Sequence, residues 1–234
     1  MLLNFIKRQV RRAFRPSMSL ACDNLALSLL KAFQFEYLPW TISAMRPSAI
    51  CALLNEILIN RRKTIVEFGA GISTLYVGRT MQEIGGRLIS FEHDRAWYEL
   101  IKEMIAKNKV LHSVEVIHAP LDTCPCSLDG CKWYNVDVVK AALSGILLDG
   151  IIVDGPPASD PNCQLARYPA VPVLLERLAD SFFIFLDDIE RPGETHIFKQ
   201  WEETLQLKGD KHVIAGRFGM LRKGGTFTTV LHLD

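Results

Sequence analysis

The sequence predicts an α/β fold: a doubly wound, mostly parallel sheet of five parallel strands closed by an antiparallel C-terminal hairpin, with a helical extension in front. Three observations carry this. Beyond Lys63, short apolar runs alternate with helical stretches, as in a parallel sheet with helices on both faces. Two of the runs, I-I-V at 151–153 and F-F-I-F-L at 182–186, are wholly apolar, as strands covered on both sides are. The first run, T-I-V-E-F at 64–68, breaks into Gly69-Ala70-Gly71 with Ser73 and Thr74 just beyond. That is a buried strand turning sharply into a helix.

The elements follow in order. Residues 1–60 read as an N-terminal helical extension and 61–234 as the main domain. Residues 1–16 carry five bases and no acid among Leu2, Leu3, Phe5, Ile6, Val10 and Phe14. A helix there would be amphipathic and could rest on an anionic membrane surface, or simply pack as a leader helix. Residues 17–33 and 47–59 have helical apolar spacing, punctuated by Pro39 and Pro47. Strands are expected near 64–68, 87–92, 113–118, 147–153 and 181–187, and helices near 73–84, 95–107, 137–144, 169–179 and 194–206. Finally, 212–216 and 227–233 read as two strands with no room for a helix between them, so they should pair antiparallel.

A chain of 234 residues supports one well-cored domain. Its net charge of +1 supplies no global field for nucleic acid. Outside the basic leader, 22 basic residues face 26 acidic ones. No apolar run reaches the roughly 18 residues of a spanning helix, and no signal-peptide pattern opens the chain; a cytoplasmic protein is the expectation. Of six cysteines, Cys22 and Cys51 sit in apolar helical surroundings. Cys124, Cys126 and Cys131 crowd one loop, with Cys163 further on. The spacing is not a C-x-x-C pair, so reduced loop thiols are expected ahead of a zinc site or a disulfide.

In a doubly wound sheet, ligands sit outside the carboxyl ends of the strands. The chemistry-bearing residues of this chain fall there repeatedly. Gly69 permits the tight turn, and Gly71 removes a side chain that would hold a ligand off the backbone. The third glycine of a dinucleotide fingerprint would fall at position 74, which is Thr74, so a pyrophosphate is not the obvious guest. Glu92 ends the second strand, 21 residues past Gly71, where an acid can bond both hydroxyls of a ribose. Asp94 is its weaker competitor. After the third strand, His118-Ala119-Pro120-Leu121 could border a flat base. Asp154 ends the fourth strand just before Gly155-Pro156-Pro157. A carboxylate there costs stability unless hydrogen-bonded or in use; it could orient a nucleophile, act as a base or bind a metal. Asp187 and Asp188 end the fifth strand. With Asp154 they offer the oxygens a hard divalent cation prefers; alternatively, one caps a helix and the other binds substrate hydroxyls.

In this order, E-F-G-A-G-I-S-T, Glu92, H-A-P-L, V-D-G-P-P and L-D-D-I-E-R resemble a class I S-adenosylmethionine (SAM)-dependent methyltransferase, from about residue 37 onward. Closest in pattern are small bacterial-type enzymes with W-Y (Trp133-Tyr134) after the third strand and R-Y-P (Arg167-Tyr168-Pro169) after the fourth. The resemblance implies a Rossmann-like, seven-stranded sheet with its last strand inserted antiparallel. It implies that Gly69, Ala70, Gly71, Ser73 and Thr74 flank the cofactor's methionine and ribose. Glu67 would help hold the amino-acid end through neighbouring groups or water, Glu92 would hold the ribose, the adjoining His93 could touch the cofactor, and Ala119, Pro120 and Leu121 would lie by the adenine. Asp154 would lie near the sulfonium and is the candidate catalytic base. Trp133, Tyr134, Arg167, Tyr168, Asp187, Asp188 and Arg191 are candidate acceptor residues. A metal on Asp154, Asp187 and Asp188, as in catechol-type O-methyltransferases, is not favoured, because this chain has Asp-Asp where that family commonly has Asp-Asn.

The implied activity is SAM-dependent O-methylation of a small-molecule or glycan-type acceptor. The alternatives are a non-catalytic cofactor-binding scaffold of the same fold and an NAD-dependent oxidoreductase, the latter disfavoured by Thr74. An aminopropyl transferase needs an acidic polyamine pocket, which two arginines downstream of D-G-P-P fit poorly. A nucleic-acid methyltransferase is disfavoured by the acidic core and by D-G-P-P in place of an N-P-P-Y-type turn.

Overall fold

Among the described residues nine strands follow one another: β1 (Thr64–Phe68), β2 (Arg87–Glu92), β3 (Val114–His118), β4 (Leu121–Asp122), β5 (Trp133–Tyr134), β6 (Leu148–Val153), β7 (Leu178–Leu186), β8 (Asp210–His212) and β9 (Phe218–Lys223). The computed structural model describes residues 18–227 and 229–230; the basic leader at 1–16 lies outside them. Seven strands form one sheet in the order β3-β2-β1-β6-β7-β9-β8. Neighbours from β3 through β7 pair parallel, and β9 lies antiparallel between β7 and β8. This is the doubly wound, mostly parallel sheet with an inserted closing strand that the sequence implies. Strands β4 and β5 form a separate two-stranded ribbon, which the sequence reading did not anticipate.

Helices cover both faces. They are α1 (described over 18–30), α2 (Pro47–Ile59), α3 (Ile72–Ile84), α4 (Arg95–Lys107), α5 (Val136–Ala142), α6 (Ala170–Leu174) and α7 (Pro192–Leu205). Strand residues alternate between two cores. Ile65, Leu88, Ile152, Phe183 and Phe185 pack with α1 to α4, while Val66, Phe68, Ile151, Val153 and Ile184 pack with α5 to α7. Asp23 of α1 accepts from the Ser48 amide at 3.2 Å, from the Ser48 hydroxyl at 2.5 Å and from Arg46. This network fixes the 39–46 connection over the carboxyl ends of the strands. Among the described residues no helix is long and apolar enough to cross a membrane.

Three expectations need correction. The closing hairpin uses β8 and β9 rather than a strand at 212–216; of the second expected strand, 227–233, positions 228 and 231–233 lie outside the described residues. A strand inserted between two others must be apolar on both faces. In β9, Phe218 and Met220 join one core and Leu221 the other. Past β9, Gly224 and Gly225 take φ of +71° and +90°, a conformation suited to glycine. There the chain turns away, and Asn60 holds the Thr226 amide and the Phe227 carbonyl at 2.7 and 3.0 Å. The helix expected at 169–179 is one short turn followed by a 3-10 turn at Leu175–Arg177, so β7 begins at Leu178.

The third correction concerns the loop cysteines. Cys131 and Cys163 form a disulfide, with Cα atoms 5.6 Å apart, while Cys124 and Cys126 are free. Spacing could not show this pair, because its members lie on different loops that meet only in the folded chain. Cys22 and Cys51 are buried among helices α1 and α2.

Candidate functional site

The strand order reverses between β1 and β6, the switch point at which open α/β sheets leave a crevice. A cleft of about 1180 Å³ opens there. Its walls come from the β1–α3 turn, the β2–α4 turn, the end of β6, the β7–α7 turn, the 39–46 connection and Gly216-Arg217.

The β1–α3 turn is built around a buried acid. Glu67 stands in register with Ser90 of β2 and accepts from the Ser73, Thr74 and Ser90 hydroxyls at 2.6, 2.5 and 2.7 Å. Thr74 Oγ1 also accepts from the Gly71 amide at 2.9 Å, satisfying an otherwise orphaned donor at the helix start. The threonine in place of a third glycine is thus part of the turn's own architecture. Burial pushes the Glu67 carboxyl above the usual carboxylate range, opposed by those three hydroxyls. Gly69 takes φ +95°, and a Cβ on it would meet the Asp154 backbone at 2.9 Å. A Cβ on Gly71 would meet nothing nearer than Ser73 Oγ at 4.0 Å, so the glycine leaves open space on the cleft side.

Glu92 ends β2 and is only 3% exposed. Its Oε1 accepts from the Asp94 amide at 2.7 Å and lies 2.9 Å from His93 Nδ1. Its Oε2 makes no hydrogen bond among the described residues. Asp94, the competing acid, caps α4 by accepting from the Trp97 amide at 2.7 Å. The Trp97 indole donates to the Ala70 carbonyl at 2.7 Å, tying the glycine turn to α4. Across the cleft, the Tyr134 hydroxyl is buried and without a hydrogen-bond partner among the described residues. A Cβ on Gly155 would come within 2.3 Å of that oxygen, so glycine at 155 is what admits the phenol.

Asp154, Asp187 and Asp188 converge at the far end, one oxygen from each lying within 4.8 Å of the others. Arg167 sits among them. Its Nη2 is 3.3 Å from Asp154 Oδ1, and its Nη1 is 3.3 Å from Asp188 Oδ2 and 3.7 Å from Glu194. Arg191 lies 2.9 Å from Asp188 and is partly exposed. Burial and the facing Asp187 push the Asp154 carboxyl well above its usual range, against the pull of Arg167. Burial and Asp188 push Asp187 up to about 7.

A pH dependence follows from Asp187. Between about pH 4 and about 7 the folded chain holds a proton that the unfolded chain has released. That stability is present at low pH and is lost as pH rises through the folded value. Thermal melts at about pH 5.5 and about 7.5 should therefore show stabilisation at the lower pH that Asp187→Asn reduces. An unchanged pH response in the variant would refute the assignment.

The cleft thus gathers Gly69, Ala70, Gly71, Ser73, Glu92, His93, Tyr134, Asp154, Arg167, Asp187, Asp188 and Arg191 from the sequence-predicted set. Others do not reach it. Glu67 and Thr74 lie beneath the turn they brace. Ala119 is buried against β2, its amide on the Glu92 carbonyl at 2.8 Å, and Pro120 and Leu121 are not on the wall. Trp133 is wholly buried against Phe68, and Tyr168 packs on the α7 side, its carbonyl accepting from Trp201. Trp133 and Tyr134 both pack against Phe68, with ring centroids 4.9 and 5.3 Å from it, but only Tyr134 lines the cleft. Sequence reasoning missed Trp97, Arg46 and Arg217. The one available signal was the position of Trp97 in the first turn after a helix-capping aspartate.

No protein-family model and no curated protein matches the chain. Solved structures do match. A methyltransferase from Geobacter sulfurreducens superposes with a TM-score of 0.58 at 12% identity, covering 88% of this chain and 89% of that one. The SAH-bound methyltransferase PaMTH1 from Podospora anserina gives 0.57 at 12% identity, covering 94% and 96%. The O-methyltransferase TomG from Streptomyces achromogenes, involved in tomaymycin synthesis and solved in complex with SAM, gives 0.52 at 16% identity, covering 87% and 90%. The likeness at these identities is one of fold: the chain has the fold of these methyltransferases.

Proposed function

We propose that this chain is a SAM-dependent O-methyltransferase acting on a small-molecule or glycan-type acceptor, with Asp154 as general base. The observation that carries the reading is one continuous cleft joining the glycine turn and Glu92 to Asp154 at its far end. The shared fold supports it, as do two features that suit a nucleoside guest. Glu92 keeps one carboxylate oxygen unspent beside the turn, and the buried Tyr134 hydroxyl awaits a partner; a ligand oxygen would satisfy it. SAM, when bound, supplies a methyl group on a positively charged sulfur. The acids around the cleft favour such a cation, and no pyrophosphate must be fitted where Thr74 stands.

At the other end, Asp154 would take the acceptor hydroxyl's proton. Burial and the facing Asp187 raise its affinity for protons above that of an ordinary carboxylate, which makes it a stronger base. Arg191 and Arg217, each about two-fifths exposed, and Arg46 stand on this rim. They favour an acceptor that carries a carboxylate or phosphate.

Calorimetry tests the reading. Micromolar or tighter binding of SAM or its demethylated product SAH is expected, and Glu92→Ala should weaken it by about 1–3 kcal/mol, roughly five- to 150-fold in Kd. Binding of NAD without SAM would overturn the proposal. SAM binding without transfer to any member of a broad panel of phenols, sugars and hydroxy acids would favour the scaffold reading instead.

A further inference from the structure

The three converging aspartates have the composition of a divalent-cation site, since such ions take six or more oxygens. The centre of the cluster is already filled by a cation. The Arg167 side chain is 4% exposed and has five N–H donors. Nε donates to the Pro156 carbonyl at 3.2 Å. Nη1 donates to the Asp187 carbonyl at 3.3 Å and faces Asp188 Oδ2 at 3.3 Å. Nη2 donates to the Asp154 carbonyl at 3.2 Å and its Oδ1 at 3.3 Å. Four hydrogen bonds and one ion pair thus tie the guanidinium to the protein. A guanidinium does not shed its charge in a protein, so an ion drawn to these carboxylates would meet a fixed positive group among its ligands. The loop carrying Arg167 is itself anchored: Asp129 accepts from the Leu165 amide at 2.8 Å, and the Cys131–Cys163 disulfide holds the same stretch.

We propose that Arg167 is the resident cation of this cluster: it holds Asp154 and Asp188 in place of a divalent ion, and the protein neither binds nor needs one there. Arg167 is then a positioning residue, because its guanidinium is tied to the protein and it acts through Asp154. Only the activity arm of the test below rests on the methyltransferase reading; the metal-binding arm stands without it.

The metal arm titrates Mn²⁺ into the protein and follows the free ion by electron paramagnetic resonance. Wild type should show no site with Kd below about 1 mM. Arg167→Gln, which keeps polar atoms but no charge, should gain at least about tenfold in Mn²⁺ affinity, and adding Asp188→Asn should abolish the gain. Arg167→Ala serves if the glutamine variant does not fold. Micromolar Mn²⁺ binding by wild type that Asp188→Asn removes would overturn the proposal. So would a folded Arg167 variant with no gain. In the activity arm, EDTA should leave turnover unchanged. Arg167→Lys, a point charge without the planar fork, should lower kcat by about tenfold or more while leaving SAH affinity unchanged. Loss of turnover in EDTA, restored by Mn²⁺, would overturn the proposal. If no acceptor is ever methylated, the functional reading fails while the Mn²⁺ result still decides the role of Arg167.

Discussion

Replacing Asp154 with asparagine should lower kcat by about 10²–10⁴-fold while leaving SAM affinity within about threefold of wild type. The residue ends β6, and its amide donates to the Phe68 carbonyl at 2.9 Å, so the sheet fixes where the side chain starts. Asparagine keeps that shape and still offers an oxygen to Arg167. What it loses is the capacity to take a proton from an acceptor hydroxyl. Initial rates give kcat, and calorimetry with SAH gives affinity independently. If affinity collapses while kcat survives, Asp154 is a binding residue and the proposed base must be sought elsewhere.

Replacing Glu67 with alanine should cost about 3 kcal/mol of folding stability or more, a fall in Tm of about 6–12 °C for a chain of this size. The variant leaves three hydroxyls, those of Ser73, Thr74 and Ser90, buried without their acceptor. It also leaves a void under the start of α3. Because the same hydroxyls set the turn that faces the cleft, SAM affinity should fall as well, although Glu67 is not on the cleft wall. Differential scanning calorimetry and SAH titration read the two effects separately. A variant that melts within about 2 °C of wild type would show that the hydroxyls find other partners. Glu67→Gln should fall between, since its amide oxygen accepts but its NH₂ cannot.

The parts of the site legible in the sequence were those made by one strand and the turn that follows it. Glu92, Asp154, Asp187 and Asp188 each end an apolar run, and strand ends share one rim in a doubly wound sheet. Gly69 was legible for the same reason, being the residue at which a strand becomes a helix. Glu67 was read as acting through neighbouring groups; which groups those are, Ser73, Thr74 and Ser90, was not legible, because the register with Ser90 is a property of two strands. Trp133 and Tyr134 looked alike as an aromatic pair, yet only Tyr134 lines the cleft.

The order of apolar runs, the breaks between them and the acids at their ends determined, by themselves, the doubly wound sheet and the rim on which its site sits. Those are local signals, carried by periodicity and turn chemistry within a few residues. Only the tertiary structure decided that 218–223 forms the strand beside β7, that Cys131 meets Cys163, and that Arg167 fills the space between three aspartates. Each of these joins segments far apart in the chain or weighs burial on both faces at once. Such contacts are chosen by packing and charge in three dimensions, which no window of sequence contains.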